Sequence, residues 1–317
     1  MKTEDIKNIC NLGTGTMGFS TALLFAKKGY NVRMFGRSQA SLDRGFKNIK
    51  AALETYQENN LLSAKEIPEI LGRIKGVTTL EEAAEGADFV IESVAEDLEV
   101  KRKVWSTIEK LTKPHTIFAT NTSGLSPTAI AEVLDRKEKF VVAHFWNPPH
   151  LVPLVEIVPG KHTSQETVDV TWKLIEEIGK KPVSLKREAL GFIGNRLQLA
   201  LLREALYIVE EGIATQEAVD TAVKYSIGRR LSTTGPLETA DLGGLDIFHN
   251  IAAYLNADLC DNKEPSELLK KAMREGNLGA KTGTGLYNWT PEALNKIKKT
   301  RENILLDWLH KDETMTF

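Results

Sequence analysis

A histidine and a glutamate twelve positions apart carry the sharpest chemical signal in the sequence. His144 closes the apolar run KFVVAHF, just ahead of the turn-forming Asn147, Pro148 and Pro149, and Glu156 sits inside the apolar run LVEIV. A lone histidine beside a strand is more often structural than chemical. An acid embedded among aliphatic side chains changes that weighting, because a buried charge without a partner is costly. Imidazole is the obvious partner. In such a pair His144 can accept a hydroxyl proton while Glu156 fixes the ring and stabilises its protonated form.

A second motif implies a ligand rather than a reaction. LGTGTMGFSTALLFAKKG places Gly13, Gly15 and Gly18 at GxGxxG spacing between a predicted strand and a predicted helix. The first glycine permits the tight turn, the second lets backbone approach a pyrophosphate, and the third allows close helix packing. The amides that open the helix, at Thr16 and Met17, then face the anion. Without its context the pattern is no more than a flexible turn; in strand, turn and helix order it predicts a dinucleotide site.

The nucleotide type turns on NVRMFGRSQ. An acid at the end of the second strand would bind the adenosine ribose hydroxyls and repel a 2′-phosphate, yet the sequence there reads Gly36, Arg37, Ser38. On one reading Arg37 pairs with that phosphate and Ser38 donates to it, favouring NADP(H) modestly over NAD(H). On the other, Gly36 only shapes the turn and Arg37 is solvated or stacks on adenine, leaving NAD usable.

These residues need a scaffold, and the hydrophobic pattern predicts one. Short apolar runs (IKNICNL, NVRMF, ADFVIES, HTIFAT, KFVVAHF, LVEIVP and KPVSL) alternate with segments of helical period up to about residue 187. Strand and helix alternation implies a largely parallel sheet covered on both faces. Residues 39–75 read as a two-helix insertion that could protrude as a hairpin. Beyond 187 the strand signals cease. A helix over about 189–211, with Ile193, Leu197, Leu201, Ala205 and Ile208 on one stripe, is followed by further helices, giving domains of residues 1–187 and 188–317. The apolar stripe there and GGLDIFHNIAAYL exceed what a small helical domain needs for itself, which predicts a homodimer through the C-terminal helices. The last segment, TRENILLDWLHKDETMTF, reads as a helix with a polar tail and no chemistry.

Composition narrows the partners. The 41 lysines and arginines nearly balance the 43 aspartates and glutamates, so no basic field draws nucleic acid or an anionic membrane. Cys10 and Cys260 form neither a disulfide framework nor a metal-ligand set, so no metal is expected and a reducing cytoplasm fits. The N-terminal MKTEDIKNIC resembles neither a signal peptide nor a membrane span, so the expectation is a mature chain that begins there.

The motifs together resemble the L-3-hydroxyacyl-CoA dehydrogenase family over nearly the whole chain: the glycine turn, VIESVAEDLEVKRKVW, NTSGLS, HFWNPP, LVEIV, GFIGNRL, TGPLETADLGGLD and KTGTGLYNW. The resemblance implies an α/β fold, a Rossmann-type doubly wound, mostly parallel sheet followed by an all-helical C-terminal domain, and NAD(P)-linked oxidation of a small-molecule alcohol in fatty acid metabolism. It makes His144 the acid/base and Glu156 its orienting acid, and sets Ser123 and Asn195 against the reacting oxygen. It puts Glu96 and Lys101 near the nicotinamide half of the cofactor, Asn121 among the cofactor contacts and Asn147 near the pocket. Lys101 reads equally as a solvated helix lysine, and Glu92 as a cap on the sheet.

For the substrate, a 3-hydroxyacyl-CoA such as 3-hydroxybutyryl-CoA leads. Pro153, where acyl-CoA relatives often carry lysine, together with NPPH, LDIFHNIAAYLNADL and Gly124, resembles relatives that oxidise small free acids, of gulonate, carnitine or pyridine-carboxylate type. Lys47, Lys50, Arg73 and Lys75 suit either a CoA-binding hairpin or an ordinary solvated face. A non-catalytic nucleotide-binding structural or sensor protein is the third reading, opposed by the intact set of Ser123, His144, Glu156 and Asn195.

Overall fold

The computed structural model describes residues 2–314. Eight strands, β1 (Asn8–Leu12), β2 (Asn31–Phe35), β3 (Ile74–Val77), β4 (Phe89–Glu92), β5 (Ile117–Thr120), β6 (Phe140–Phe145), β7 (Leu154–Pro159) and β8 (Lys181–Ser184), form one sheet in the order β3-β2-β1-β4-β5-β6-β7-β8. The first six pair in parallel, β7 runs antiparallel to β6, and β8 follows β7 in parallel. Between β1 and β4 the strand order reverses, the place where doubly wound sheets open a ligand crevice at the carboxyl ends of their strands.

All seven strands read from apolar runs are present. The eighth, β3, is IKGV, and with Lys75 and Gly76 at its centre it carries no apolar run to detect. Helices α1 (Thr16–Lys28), α2 (Gln39–Glu58), α3 (Glu66–Gly72), α4 (Leu80–Ala84), α5 (Leu98–Leu111), α6 (Pro127–Ala131) and α7 (Gln165–Glu177) flank the sheet. The insertion after β2 is α2 and α3, as its period suggests, but it does not protrude. Leu42, Ile49, Leu53 and Tyr56 of α2 and Ile70 of α3 are buried in the same cluster as Leu23 and Phe25 of α1. Lys47 and Lys50 are exposed on the outer face of α2, whereas Arg73 donates to the Ala26 carbonyl at 3.2 Å and serves the packing.

Backbone contacts divide the chain into two units, one reaching Ile193 and resuming at Thr300, the other Gly194–Lys299. The second is helical: α8 (Gly194–Glu210), α9 (Gln216–Tyr225), α10 (Ile227–Arg230), α11 (Pro236–Gly243), α12 (Leu245–Leu255), α13 (Glu267–Arg274) and the start of α14 (Pro291–Thr314). These bounds differ from a division at 187/188 at both ends. The first unit extends to Ile193, because Gly191 and Phe192 both take positive φ and delay α8 until Gly194. It also reclaims the C-terminal helix: Leu306 is buried in the first unit's core, and His310 Nε2 lies 2.6 Å from the Asn59 carbonyl. The polar tail read from the last residues lies outside the described residues. Among the described residues no helix is long and apolar enough to cross a membrane, and no group of three or more His, Cys, Asp or Glu could hold a metal ion.

Candidate active site

The antiparallel turn from β6 to β7 sets His144 directly opposite Glu156 in the ladder. Directly opposed side chains of an antiparallel pair share a face and come within contact distance. His144 Nδ1 accordingly lies 2.8 Å from Glu156 Oε2, with the glutamate fully buried and the histidine nearly so. Trp146 Nε1, at 3.1 Å to Oε2, and the Ile193 amide, at 2.8 Å to Oε1, also hold the carboxylate. A carboxylate that only accepts keeps the proton on His144 Nδ1, so Nε2 is the nitrogen available to a reacting hydroxyl. Phe192 packs on the imidazole with ring centroids 5.4 Å apart. At φ 53° it is a bulky residue in the left-handed region, a conformation that costs energy and persists where surroundings enforce it.

Sequence reading missed Trp146, Phe192 and the Ile193 amide. Backbone N–H donors leave no signature in residue type, and a tryptophan in HFWNPP is indistinguishable from core. Asn147 is exposed just beyond Trp146 and begins a cis bond to Pro148.

The glycine turn has the geometry that its spacing requires. Gly13 has φ 127°, and a Cβ there would lie 2.7 Å from the Ser93 carbonyl oxygen. A Cβ at Gly18 would lie 2.2 Å from the Gly13 oxygen, while one at Gly15 meets nothing within 4 Å. The middle glycine therefore faces open space at the N-terminus of α1, where Thr16 and Met17 begin the helix, and the cradle fits a pyrophosphate. Buried Asn11 braces the turn from below: Nδ2 donates to the Gly13 and Gly18 carbonyls at 3.0 Å, and Oδ1 accepts from Thr21 Oγ1 at 2.7 Å.

At the end of β2, a Cβ on Gly36 would lie 2.6 Å from Ser41 Oγ and 2.9 Å from Leu42 Cγ. Any side chain there, an acid included, would have to displace the Ser41 hydroxyl and the Leu42 side chain. Arg37 is exposed, and Ser38 caps α2, its Oγ accepting from the Ser41 amide at 3.3 Å.

Lys101 is not a solvated helix lysine. It is fully buried in α5, with Nζ 2.7 Å from Glu92 Oε1 and 3.3 Å from Glu96 Oε2. Glu92, read as a cap on the sheet, is the buried centre of this network and also accepts from Thr120 Oγ1 and the Val94 amide, each at 2.7 Å. Glu96 in turn accepts from Thr122 Oγ1 at 2.5 Å and from the Ser123 amide at 2.8 Å. The ion pair therefore reaches from α5 to the loop carrying Ser123. Asn121 spends both ends of its amide on the scaffold: Oδ1 accepts from the Phe145 amide at 2.8 Å, and Nδ2 donates to Ser93 Oγ at 3.3 Å. Asn195 is the second residue of α8 and belongs to the second unit.

Residues 8–189 match the family described as 3-hydroxyacyl-CoA dehydrogenase, NAD binding domain, and residues 191–289 match 3-hydroxyacyl-CoA dehydrogenase, C-terminal domain. The chain is 37% identical to a probable 3-hydroxybutyryl-CoA dehydrogenase of Bacillus subtilis, over 90% of this chain and 98% of that one. Among solved structures it is similar to 5-formyl-3-hydroxy-2-methylpyridine 4-carboxylic acid 5-dehydrogenase, an NAD+-dependent dismutase, with TM-score 0.91, 33% identity and coverage of 98% and 100%. It is also similar to the (S)-3-hydroxybutyryl-CoA dehydrogenase PaaH1 of Ralstonia eutropha, with TM-score 0.76, 31% identity and coverage of 90% and 99%.

Proposed function

The chain belongs to the 3-hydroxyacyl-CoA dehydrogenase family, and we propose from that premise that it transfers a hydride between a nicotinamide dinucleotide and the 3-hydroxy group of a 3-hydroxyacyl-CoA, in fatty acid metabolism. The observation that carries this reading is the buried pair of His144 and Glu156, joined at 2.8 Å. The glycine turn at Gly13, Gly15 and Gly18 and the first amides of α1 would hold the cofactor's pyrophosphate, and the nicotinamide supplies the hydride acceptor. His144 Nε2 takes the proton of the substrate hydroxyl as hydride leaves the carbinol carbon, and Glu156 holds the ring and offsets the charge it gains. Reduction runs the same steps backwards. Ser123 and Asn195 at the reacting oxygen, Glu96, Lys101 and Asn121 beside the cofactor, and Asn147 at the pocket complete the proposal.

NADP(H) is the modestly favoured nucleotide. Gly36 carries no acid to repel a 2′-phosphate, Arg37 is exposed beside it, and the Ser38 hydroxyl hydrogen remains free to donate while its oxygen caps α2. The second reading for the substrate, a small free hydroxy acid or alcohol of pyridine-carboxylate type, is favoured by one observation: the fold agrees with the pyridine-carboxylate enzyme at TM-score 0.91 and with PaaH1 at 0.76. Both questions are tested by one activity matrix that crosses NAD and NADP with 3-hydroxybutyryl-CoA, free 3-hydroxybutyrate, gulonate, carnitine and hydroxymethylpyridine acids. Expected are turnover of the CoA ester and a kcat/KM about tenfold higher with NADP, the equivalent of one charge-assisted contact of about 1.4 kcal/mol. Turnover of free acids alone moves the assignment to the second reading, and preference for NAD removes the role given to Arg37.

A homodimer through the C-terminal helices belongs to the same proposal. Leu237, Leu242, Leu245, Ile247, Phe248 and Tyr254, all on α11 and α12, are exposed, more apolar surface than a soluble monomer ordinarily leaves open. Light scattering at micromolar concentration is expected to give twice the 35.2 kDa chain mass; the monomer mass would count against the dimer. The reducing cytoplasm remains the proposed location, on two free and buried cysteines.

A further inference from the structure

The segment that separates His144 from Glu156 in sequence, residues 146–153, is held by donors from elsewhere in the fold. It contains Pro148, Pro149 and Pro153, so three of its residues have no amide hydrogen to offer. The Pro148 carbonyl is satisfied from within, by the Leu151 and Val152 amides at 3.0 and 2.9 Å. The Pro149 and Val152 carbonyls both accept from Lys180 Nζ, at 2.5 and 3.2 Å. Tyr56 Oη donates to the His150 carbonyl, and the Lys181 amide donates to the Pro153 carbonyl at 2.9 Å. The His150 ring is pinned as well, with Nδ1 2.9 Å from Ser20 Oγ and its face against Phe19.

Lys180 is the unusual member of this set. Its side chain is almost fully buried, and both bonds described for its ammonium go to backbone carbonyls of one loop. Lysine is rarely buried unless paired with an acid. Burial first, and the charge of Lys27 second, push its pKa down to about 7 against the pull of Asp312. The folded value lies below the ordinary one, so a charge here costs the fold at neutral pH. Methionine has similar reach and no such cost, so packing alone does not explain a lysine at this position.

We propose that Lys180 is a positioning residue for the acid/base pair: by tying the Pro149 and Val152 carbonyls it sets the β6–β7 loop so that Trp146 and Glu156 hold His144 in its reactive orientation. The inference rests on the reading of His144 as the acid/base. Trp146 is the link, since its indole nitrogen donates to the same Glu156 oxygen that holds His144.

The test compares Lys180→Met, Tyr56→Phe, their double variant and His144→Ala in one assay. Lys180→Met is expected to lower kcat about tenfold or more, with nucleotide Kd within twofold of the parent and a cooperative thermal transition retained. The indole N–H resonance of Trp146, assigned with Trp146→Phe, should shift. Lys180→Met and Tyr56→Phe untie neighbouring carbonyls of one loop, so their effects on kcat should be less than additive. Unchanged kcat in folded Lys180→Met overturns the inference, as does a loss of kcat matched by an equal loss of nucleotide affinity. If Lys180→Met does not fold, Tyr56→Phe carries the test by the same two readouts, and unchanged kcat there overturns it. Turnover retained in His144→Ala would overturn the parent reading instead, which keeps the two failures apart.

Discussion

Turnover of His144→Ala is expected to fall about 10²–10⁴-fold, the range that general acid–base catalysis contributes, while nucleotide binding stays at the parent level. Separation of the two effects follows from where the parts lie. His144 belongs to β6, and the glycine turn joins β1 to α1, with β4 and β5 between β1 and β6 in the sheet. Alanine removes the proton acceptor and leaves Gly13, Gly15, Gly18 and the α1 amides in place. Stopped-flow titration of nucleotide fluorescence alongside steady-state kcat checks both halves. Unchanged turnover would remove His144 from the mechanism, and lost nucleotide binding would mean that the substitution had damaged the scaffold.

Glu156→Gln is expected to be nearly as severe, with kcat reduced about 10²–10⁴-fold, comparable to losses seen where a triad acid is made neutral in other enzymes. The reason is the number of donors. Glu156 receives His144 Nδ1 and Trp146 Nε1 on one oxygen and the Ile193 amide on the other. Glutamine keeps one acceptor and places an NH2 against at least one of those donors, so a buried N–H loses its partner or the imidazole turns over to its other tautomer. An unsatisfied buried donor costs about 1–3 kcal/mol, so the thermal midpoint should also drop by several degrees. Glu156→Asp offers a control: it keeps the charge but withdraws the carboxylate by one methylene, and it should recover more stability than activity. A Glu156→Gln variant with parental kcat would show that His144 does not depend on this acid.

Much of the fold was legible because it is local. Seven strands announced themselves as apolar runs, whereas β3, with a lysine and a glycine among its four residues, is a strand only because β2 offers an edge to it. The apolar stripe continues smoothly through Ile193, so residue type alone starts α8 too early, and nothing in it shows that Phe192 adopts a positive φ. Lys101 and Glu92 show the same limit in the site. Nine residues apart, they read as a helix lysine and a strand-end acid, and only packing of α5 on the sheet closes them to 2.7 Å in a buried interior.

By itself the sequence determined the parts whose chemistry is written into short spacing: the glycine turn, the absence of an acid after β2, and a histidine and an acid on two apolar strands. Those features depend on backbone conformation and side-chain type within a few residues, which a linear reading can follow. Tertiary structure decided which donors surround the acid, which lysine is buried, and what holds the loop between the two strands. The donors come from afar: the Ile193 amide reaches Glu156 across 37 positions, and Tyr56 reaches His150 across 94. A buried acceptor is satisfied by whichever donor the fold brings within about 3 Å, and that proximity is a property of the packed chain rather than of any stretch of it.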